Sequence, residues 1–492
     1  MAITEIIDSH ANDQPEHPAI EDGDRVISYA DLAGRLRVAA ANLQGNGISA
    51  GDRVGVMLTD SAEHLIALHA LLKAGAVIVT IDLALSAIEK DRIVSRLGLK
   101  TVIRSATTNT IANVSNLLVE EICHHTLAGG GRFIAPAIKD DHPAMIIQSS
   151  GTTGDAKYFV RTHAGHLESM RRYGKYEGWK PDDRCLVIIG IGFQAGRNAY
   201  LGMLRMGATV VVSHAQSVGS LVEEILRKRI SVVRLTPTHL QLLIDRAASE
   251  RRLFPNLNVM AVGTAPTTQE QRRLARERLT PNLIEWLGCN EAGLLAIATP
   301  ADQDAYPEAV GRLVDEVEAQ VVDANHNPLP IGQVGQIRFR GRGMSTCYLD
   351  DARTTSLAFR NGWFYPGDLA ALNEQRYLFF KGRADDVINM SGVKCYPIEV
   401  ENVLKCHPDV LDAAVIASPH PHYGQVPVAF VTCRTKATGG ALRKFCARHI
   451  APFKLPVAII FLPELPRNAL GKILKGNLRE MLGRMTKGKV IG

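Results

Sequence analysis

The chain has 492 residues, 46% of them hydrophobic, enough apolar side chains for sizeable cores in roughly two or three domains. A formal net charge of +6 is small for this length and the basic residues are dispersed, which argues against a nucleic-acid partner and admits a polyanionic small molecule. No run approaches the roughly 20 apolar residues of a membrane span, and the start, MAITEIIDSHANDQPEH, is polar where a signal peptide is basic then apolar, so a cytoplasmic protein is expected.

In chain order, RVGVMLTD (53–60) reads as a strand, SAEHLIALHALLKAG (61–75) as a helix and AVIVTIDL (76–83) as a strand. The alternation returns with the apolar runs CLVIIG (185–190), ATVVVSH (208–214), SVVRLTP (231–237) and NVMAVGT (258–264), each followed by a helical pattern. Repeated strand, helix, strand order predicts buried parallel sheets and an α/β architecture. From about residue 335 the texture changes, and GQIRFRGRG (335–343) and RYLFFKGRADDVINMSG (376–392) read as hairpins. After Tyr396 two helical and three strand patterns predict a compact α+β unit. The expected fold is therefore α/β: a large N-terminal domain (1–384) of parallel and mixed sheets with helices and a small β-barrel-like part, then a small C-terminal domain (386–492), with the break at Asp385. The eight cysteines are scattered with no CxxC pair, so neither a disulfide framework nor a zinc site is expected.

One stretch asks for a chemical explanation. QSSGTTGDAK (148–157) follows the apolar AMII, and a loop so rich in Gly, Ser and Thr can turn several N–H groups and hydroxyls toward one anion while Lys157 adds a point charge. It is not the common phosphate loop, because Ala156 precedes the lysine where that pattern needs glycine, and Tyr158 follows where it needs a hydroxyl for magnesium. Taken alone, the run is equally well a surface turn.

The rest of the chain decides between them. SSGTTGDAK, AVGTAP (261–266), LGCNEAG (287–293), GWFYPGDLA (362–370), KGRADDVINMSGVK (381–394) and PRNALGKILKGNLRE (466–480) resemble, in order, the motifs of the adenylate-forming enzymes, the superfamily of acyl-CoA synthetases and peptide-synthetase adenylation domains. The resemblance implies ATP-dependent activation of a carboxylic acid through an acyl-adenylate, with ATP and Mg2+ required and a C-terminal domain that moves. It assigns Ser149, Ser150, Gly151, Thr152, Thr153, Gly154 and Lys157 to the triphosphate, and Gly263, Thr264, Ala265 and Gly288 to the adenine pocket. Asp368 would accept the ribose hydroxyls and Arg383 would reach ribose or phosphate. Glu291 would be the magnesium carboxylate, Asn290 a donor to the α-phosphate, and Lys472 the lysine that bridges carboxylate and α-phosphate. Asp385 matches the hinge, and Gly392 the glycine that leaves room for an incoming thiol. Phe193, Arg197 and Thr236 are expected around the acid, together with Gly263 to Ala265 and Gly288, where Gly and Ala leave volume for a medium or ring-shaped apolar acid; Arg197 either pairs with a second carboxylate or points to solvent.

The chemistry is consistent with those residue types. An acid oxygen must attack the α-phosphate while pyrophosphate leaves, and the protein's task is to align mutually repelling anions and neutralise them. Departures from the pattern are Ala156 for proline, Leu287 for the tyrosine of YGxTE, so that adenine contact is weakened or comes from Trp286, Asn290 for its threonine, and Pro366 for a threonine. Gly190, Gly192 and Gly196 form GxGxxxG after a strand, as in a dinucleotide-binding turn, but no acidic residue follows in VVVSHAQS (210–217), so close helix packing is the expected reason for them. A protein that keeps the fold without the chemistry is the other alternative, against which the joint presence of Lys157, Glu291, Asp368, Arg383 and Lys472 argues. His163/His166 and His420/His422 are expected at the surface. With no fused carrier segment, coenzyme A is the expected acceptor; a separate acyl carrier protein, an amine, and a homodimer remain open. The sequence does not distinguish aryl, alicyclic and short-chain acids.

Overall fold

The computed structural model describes residues 5–123, 132–149, 157–247, 252–390, 393–468 and 471–485. Its largest sheet has a parallel half in the order Leu283–Cys289, Val259–Val262, Val232–Leu235, Arg184–Val187, Thr209–Val212, Pro18–Asp22. Val259–Val262, Val232–Leu235 and Thr209–Val212 are buried at every position, because helices cover both faces, and their runs of Val and Ala meet that demand. Thr236 caps the helix Pro237–Arg246 by accepting from the His239 N–H, and Pro237 fills the first helical position.

After Cys289 the chain reverses and Gly293–Ala298 pairs antiparallel with the strand just left. Gly311–Leu313, Tyr377–Arg383, Asp368–Leu372, Gly335–Gly341 and Val317–Val322 then add antiparallel strands to that open edge. The expected barrel-like part is thus an extension of the large sheet, and among the described residues it does not close: each hairpin finds its partner in the strand before it. A second sheet holds Ser115–Leu118, Thr101–Arg104, Arg53–Met57, Val77–Thr80, Pro143–Gln148 and Tyr158–Thr162, parallel but for the last pair.

From Ile388 a separate five-stranded sheet forms, flanked by the helices Pro397–Lys405, Gly439–Ala447 and Lys475–Met485. The strand Val410–His420 packs Val415 with Val400, Leu404 and Leu442 on one face and Ile416 with Phe430, Leu465 and Leu478 on the other. A single 3-10 turn, Ala384–Asp386, connects it to the strand Tyr377–Arg383. No helix among the described residues is long and apolar enough to cross a membrane.

Two expectations from the sequence meet their physical outcome here. A Cβ on Gly196 would lie 1.9 Å from the Gly190 carbonyl oxygen, so the glycine spacing answers to close packing of the helix Gln194–Met206 on the preceding turn. His163 and His166 are not surface residues: their helix, His163–Glu177, is packed on both sides, and His166 is fully buried with neither ring nitrogen bonded among the described residues. Burial first, then the Arg161 and Arg197 charges, push its imidazole well below the usual histidine range. His420 is half-buried and His422 is exposed.

Candidate active site

A cavity of about 2250 Å³ lies where the carboxyl ends of the parallel strands, the second sheet and the C-terminal unit meet. Ser149, Lys157, Phe193, Arg197, Thr264, Ala265, Gly288, Asn290, Glu291, Asp368, Arg383 and Lys472 all line it. Residues more than 300 apart in sequence therefore share one space.

At its phosphate end the Ser149 N–H donates to the Lys157 carbonyl at 2.7 Å, which pinches the base of the glycine-rich loop. Ser150, Gly151, Thr152, Thr153 and Gly154 lie outside the described residues. Glu291, 6% exposed, follows the strand Leu283–Cys289, and its Oε1 accepts both Ser149 Oγ at 2.5 Å and Tyr348 Oη at 2.9 Å. Oε2 has no donor among the described residues. Lys157 Nζ sits over the Tyr348 ring, 5.7 Å from its centroid. Among the described residues no group of three His, Cys, Asp or Glu could hold a metal by itself. A magnesium ion shared with nucleotide phosphates needs only one or two carboxylates, so the oriented Glu291 with its open oxygen fits such an ion. Tyr348 is the residue that the sequence did not disclose: CYLDD carries no glycine or charge pattern that marks it.

Asn290 donates from Nδ2 to the Gln148 carbonyl at 3.0 Å, and its own carbonyl accepts from Arg161 Nη2. One of its amide N–H groups thus ties the turn to the loop strand. Arg161, buried, also donates to the Gly343 carbonyl, and burial lowers its guanidinium to about 10 against the pull of Glu291.

In the adenine region Thr264 lines the cavity with φ +74°, a left-handed conformation that costs a β-branched residue about 1–3 kcal/mol, and its buried Oγ1 has no partner among the described residues. Gly263 does not line the cavity. A Cβ there would lie 2.2 Å from the Trp286 ring, so the glycine makes room for the indole. Trp286 stands edge-on to Tyr173 at 5.7 Å, while Leu287 alternates to the other face of the strand. Asp368 faces Arg383, with Nη1 3.4 Å from Oδ1, and Arg383 also donates to the Pro366 carbonyl at 2.6 Å and to Asp385 at 3.2 Å. Burial raises the Asp368 carboxyl, partly offset by Arg383 and Lys472.

Lys472 comes from a tight turn of the C-terminal unit. Arg467 and Ile473 pair antiparallel, and the Lys472 N–H donates to Asn468 Oδ1 at 2.9 Å. A Cβ on the neighbouring Gly471, at φ +79°, would lie 3.1 Å from Thr238 Oγ1, so the turn abuts the N-terminal unit. Burial, then the Arg383 charge, hold the Lys472 ammonium below the usual lysine range, against the attraction of Asp368, Asp386 and Asp385. Gly392 lies outside the described residues.

At the opposite end, Phe193 precedes the helix Gln194–Met206 and is half-buried, an apolar wall. Arg197 does not point to solvent: it is 2% exposed and lines the cavity. Thr236 is buried but not part of the lining, because its hydroxyl is turned to the helix cap and to His239 Nδ1 at 3.0 Å; Pro237 and Thr238 line the cavity in its place. Behind this wall Arg234 Nη2 lies 3.0 Å from Glu177 Oε1, a fully buried ion pair without hydrogen-bond alignment, with the guanidinium over the rings of Tyr173 and Trp286.

The geometry finds its counterpart in known proteins. Residues 7–349 match the family model described as AMP-binding enzyme, and residues 399–472 match the AMP-binding enzyme C-terminal domain. The chain is 27% identical to an indoleacetate–CoA ligase of Aromatoleum aromaticum, over 99% of each chain. It is 25% identical to a 2-succinylbenzoate–CoA ligase of Oceanobacillus iheyensis, over 94% of this chain and 96% of that one. Among solved structures, ATP-bound MatB from Rhodopseudomonas palustris superposes with a TM-score of 0.89 at 25% identity, covering 99% of this chain and all of that one. The fold is also that of o-succinylbenzoate CoA synthetase from Bacillus subtilis in complex with its acyl-adenylate, at a TM-score of 0.88, 23% identity, and coverage of 96% and 98%. The family models together span most of the chain, and the protein belongs to the AMP-binding enzyme family.

Proposed function

We propose that the protein is an AMP-forming acid–CoA ligase: it activates a carboxylic acid with ATP as an acyl-adenylate and passes the acyl group to coenzyme A. The observation that carries this reading is the single cavity in which Glu291, Asp368, Arg383 and Lys472 converge from two units of the chain.

In the first half-reaction a carboxylate oxygen of the acid forms a bond to the α-phosphorus, and the bond to the bridging oxygen breaks as pyrophosphate leaves with that electron pair. Lys157 and the loop from Ser149 hold the phosphates, while Asp368, with Arg383 beside it, takes the ribose hydroxyls. Lys472 places its ammonium between the two anions that must approach, lowering their repulsion where charge develops. A magnesium ion held at Glu291 would supply charge neutralisation on the phosphates and on departing pyrophosphate. In the second half-reaction the thiol sulfur attacks the acyl carbon, AMP leaves, and the thiol proton passes to solvent. Rotation of residues 386–492 about Asp385 would withdraw Lys472 and bring the thiol past Gly392.

Acid-dependent ATP–pyrophosphate exchange, followed by addition of coenzyme A, tests the reading. Exchange followed by thioester formation supports it; exchange without a thioester points to a carrier protein or an amine as acceptor, and no exchange with any acid refutes it. Lys472→Ala should abolish exchange and leave thioester formation from a supplied acyl-adenylate largely intact. Equal loss of both halves would count against the assigned role. We place the enzyme in the cytoplasm, where ATP and coenzyme A are available, which fractionation checks.

A further inference from the structure

Among the described residues five arginines are buried, and four of them lie near a carboxylate. Arg161 lies in the field of Glu291, Arg172 is 3.9 Å from Glu168, Arg234 is 3.0 Å from Glu177, and Arg272 is 3.2 Å from Glu285. Arg197 is the exception. Among the described residues it has no carboxylate within the 4.0 Å of an ion pair, which Arg161 also lacks, and unlike Arg161 it has none whose charge acts on it, although it is buried as deeply as the others and lines the cavity. A buried charge without a counter-charge is costly, and proteins rarely keep one.

What Arg197 does contact is neutral. Its Nη1 donates to the carbonyls of Ile191 at 3.3 Å and Gly192 at 3.1 Å, its Nη2 donates to Gln194 Oε1 at 2.8 Å, and its Nε has no acceptor among the described residues. These dipoles hold the guanidinium in place without neutralising it, and burial alone lowers it to about 10. Asp60, on a neighbouring loop, is engaged by the Ile191 N–H at 2.9 Å. In front of the same turn there is room, since a Cβ on Gly192 would meet no atom within 4 Å. A second buried donor on the cavity wall, Trp286 Nε1, also lacks an acceptor among the described residues. Arg197 therefore presents an open donor and a positive charge to the acid end of the cavity, and its occupant must bring the acceptor.

We infer that the acid this protein activates carries a second oxyanion, a carboxylate remote from the reacting one, and that Arg197 binds it. The reacting carboxylate goes to the α-phosphate near Lys472, and the distal one enters beside Phe193 to complete the ion pair that the chain leaves open. The planar guanidinium, already held by its neutral acceptors, is suited to a carboxylate. The inference rests on the acid-ligase reading and deepens it by naming the substrate class.

The test is acid-dependent ATP–pyrophosphate exchange by the full-length enzyme on aliphatic and aryl dicarboxylic acids, each beside its own monomethyl ester. For some diacid, kcat/KM should exceed that of its ester by about ten-fold or more, since a site built to bind a charged group rejects the analogue that lacks it. Arg197→Gln should lower kcat/KM for the diacid by about ten-fold or more, mostly through KM, and leave the ester within about two-fold, with Arg197→Lys restoring part of the preference. Should Arg197→Gln fail to fold, the wild-type ratio and the Arg197→Lys ratio still decide. If Arg197 served only to hold the 191–192 turn, diacid and ester would fall together, and the inference would be wrong. Exchange with monocarboxylic acids in preference to every diacid would overturn the inference while leaving the ligase reading intact; no exchange with any acid would overturn both.

Discussion

Tyr348→Phe isolates the part of the cavity that orients Glu291, the carboxylate proposed to hold magnesium. The Tyr348 ring packs edge-on to Phe359 at 5.3 Å and lies beneath Lys157, and a phenylalanine keeps both contacts. Only the hydroxyl is lost, and with it one of the two donors to Glu291 Oε1; Ser149 Oγ, at 2.5 Å, remains. A hydrogen bond to a charged group contributes about 1.5–3 kcal/mol, and the surviving serine retains part of the orientation, so the expected loss lies at or just under the low end. About 1.4 kcal/mol at the transition state is about a ten-fold slower step. The assay is single-turnover acyl-adenylate formation across a magnesium titration: the variant should be about ten-fold slower at saturation and need more magnesium for half its maximum. Thioester formation from a supplied acyl-adenylate should stay within about two-fold, because Glu291 is assigned no part in it. An unchanged magnesium dependence, or an equal loss in both halves, would refute the reasoning that Tyr348 acts through Glu291.

Three other expectations follow from packing and titration. Gly263→Ala would drive a methyl to 2.2 Å from an enclosed indole, an overpacking that costs about 1–3 kcal/mol, and should appear as a lower melting temperature and a raised KM for the acid; an unchanged melting temperature would show that Trp286 can move. The role proposed for Lys472 needs the ammonium ion, which is held below its ordinary value of 10.5, so kcat/KM for ATP in the adenylation half should fall as pH rises through that lowered value, a decline that the thioester half should lack. His64 is buried, and desolvation first, then the Arg197 charge, push it down to about 3, against a hydrogen bond to the Thr59 carbonyl. The unfolded chain then binds a proton that the folded chain refuses, so the stability linked to His64 is complete above about pH 6.5 and is lost as pH falls, by about 2 kcal/mol at pH 5. Urea unfolding at pH 7 and pH 5 should show His64→Gln losing that much less than the wild type, and equal losses would place the histidine elsewhere.

The parallel half of the large sheet was legible because strands covered on both faces require uninterrupted apolar runs, and VVRL and VMAV have no other economical reading. The turn at Glu291 was legible because Gly288 and Gly293 break the strand pattern on either side of it, whereas residues 150–156 of the glycine-rich run lie outside the described residues. Thr236 was misassigned although the signal was present, since Thr-Pro ahead of a helical pattern marks an N-cap, and a capping hydroxyl is already engaged. The burial of His163 and His166 was not legible, because a helix shows its polar residues in sequence but not how many neighbours will cover them. Tyr348 escaped for the same cause. Its role depends on a hydrogen bond across 57 residues, and only the three-dimensional register of Glu291 and the segment after Gly341 creates it.

The placement of Lys472 on a separate unit has an electrostatic logic. Its ammonium is disfavoured in the cavity by desolvation and by Arg383, and the nearby Asp368 and Asp386 only partly offset this. Phosphates and a substrate carboxylate would reverse the balance, favouring Lys472 in the cavity while the anions are present and disfavouring it once pyrophosphate has left. A lysine fixed in the N-terminal unit would have to remain after the negative charge departs. One carried on a unit joined through the single turn Ala384–Asp386 can leave with it, and the same withdrawal would open the face through which a thiol reaches the acyl-adenylate. Arg197 represents the opposite solution: locked in its helix and unable to withdraw, it keeps its charge in the wall between turnovers, which is tolerable because three neutral acceptors already hold it and the acid alone is left to neutralise it.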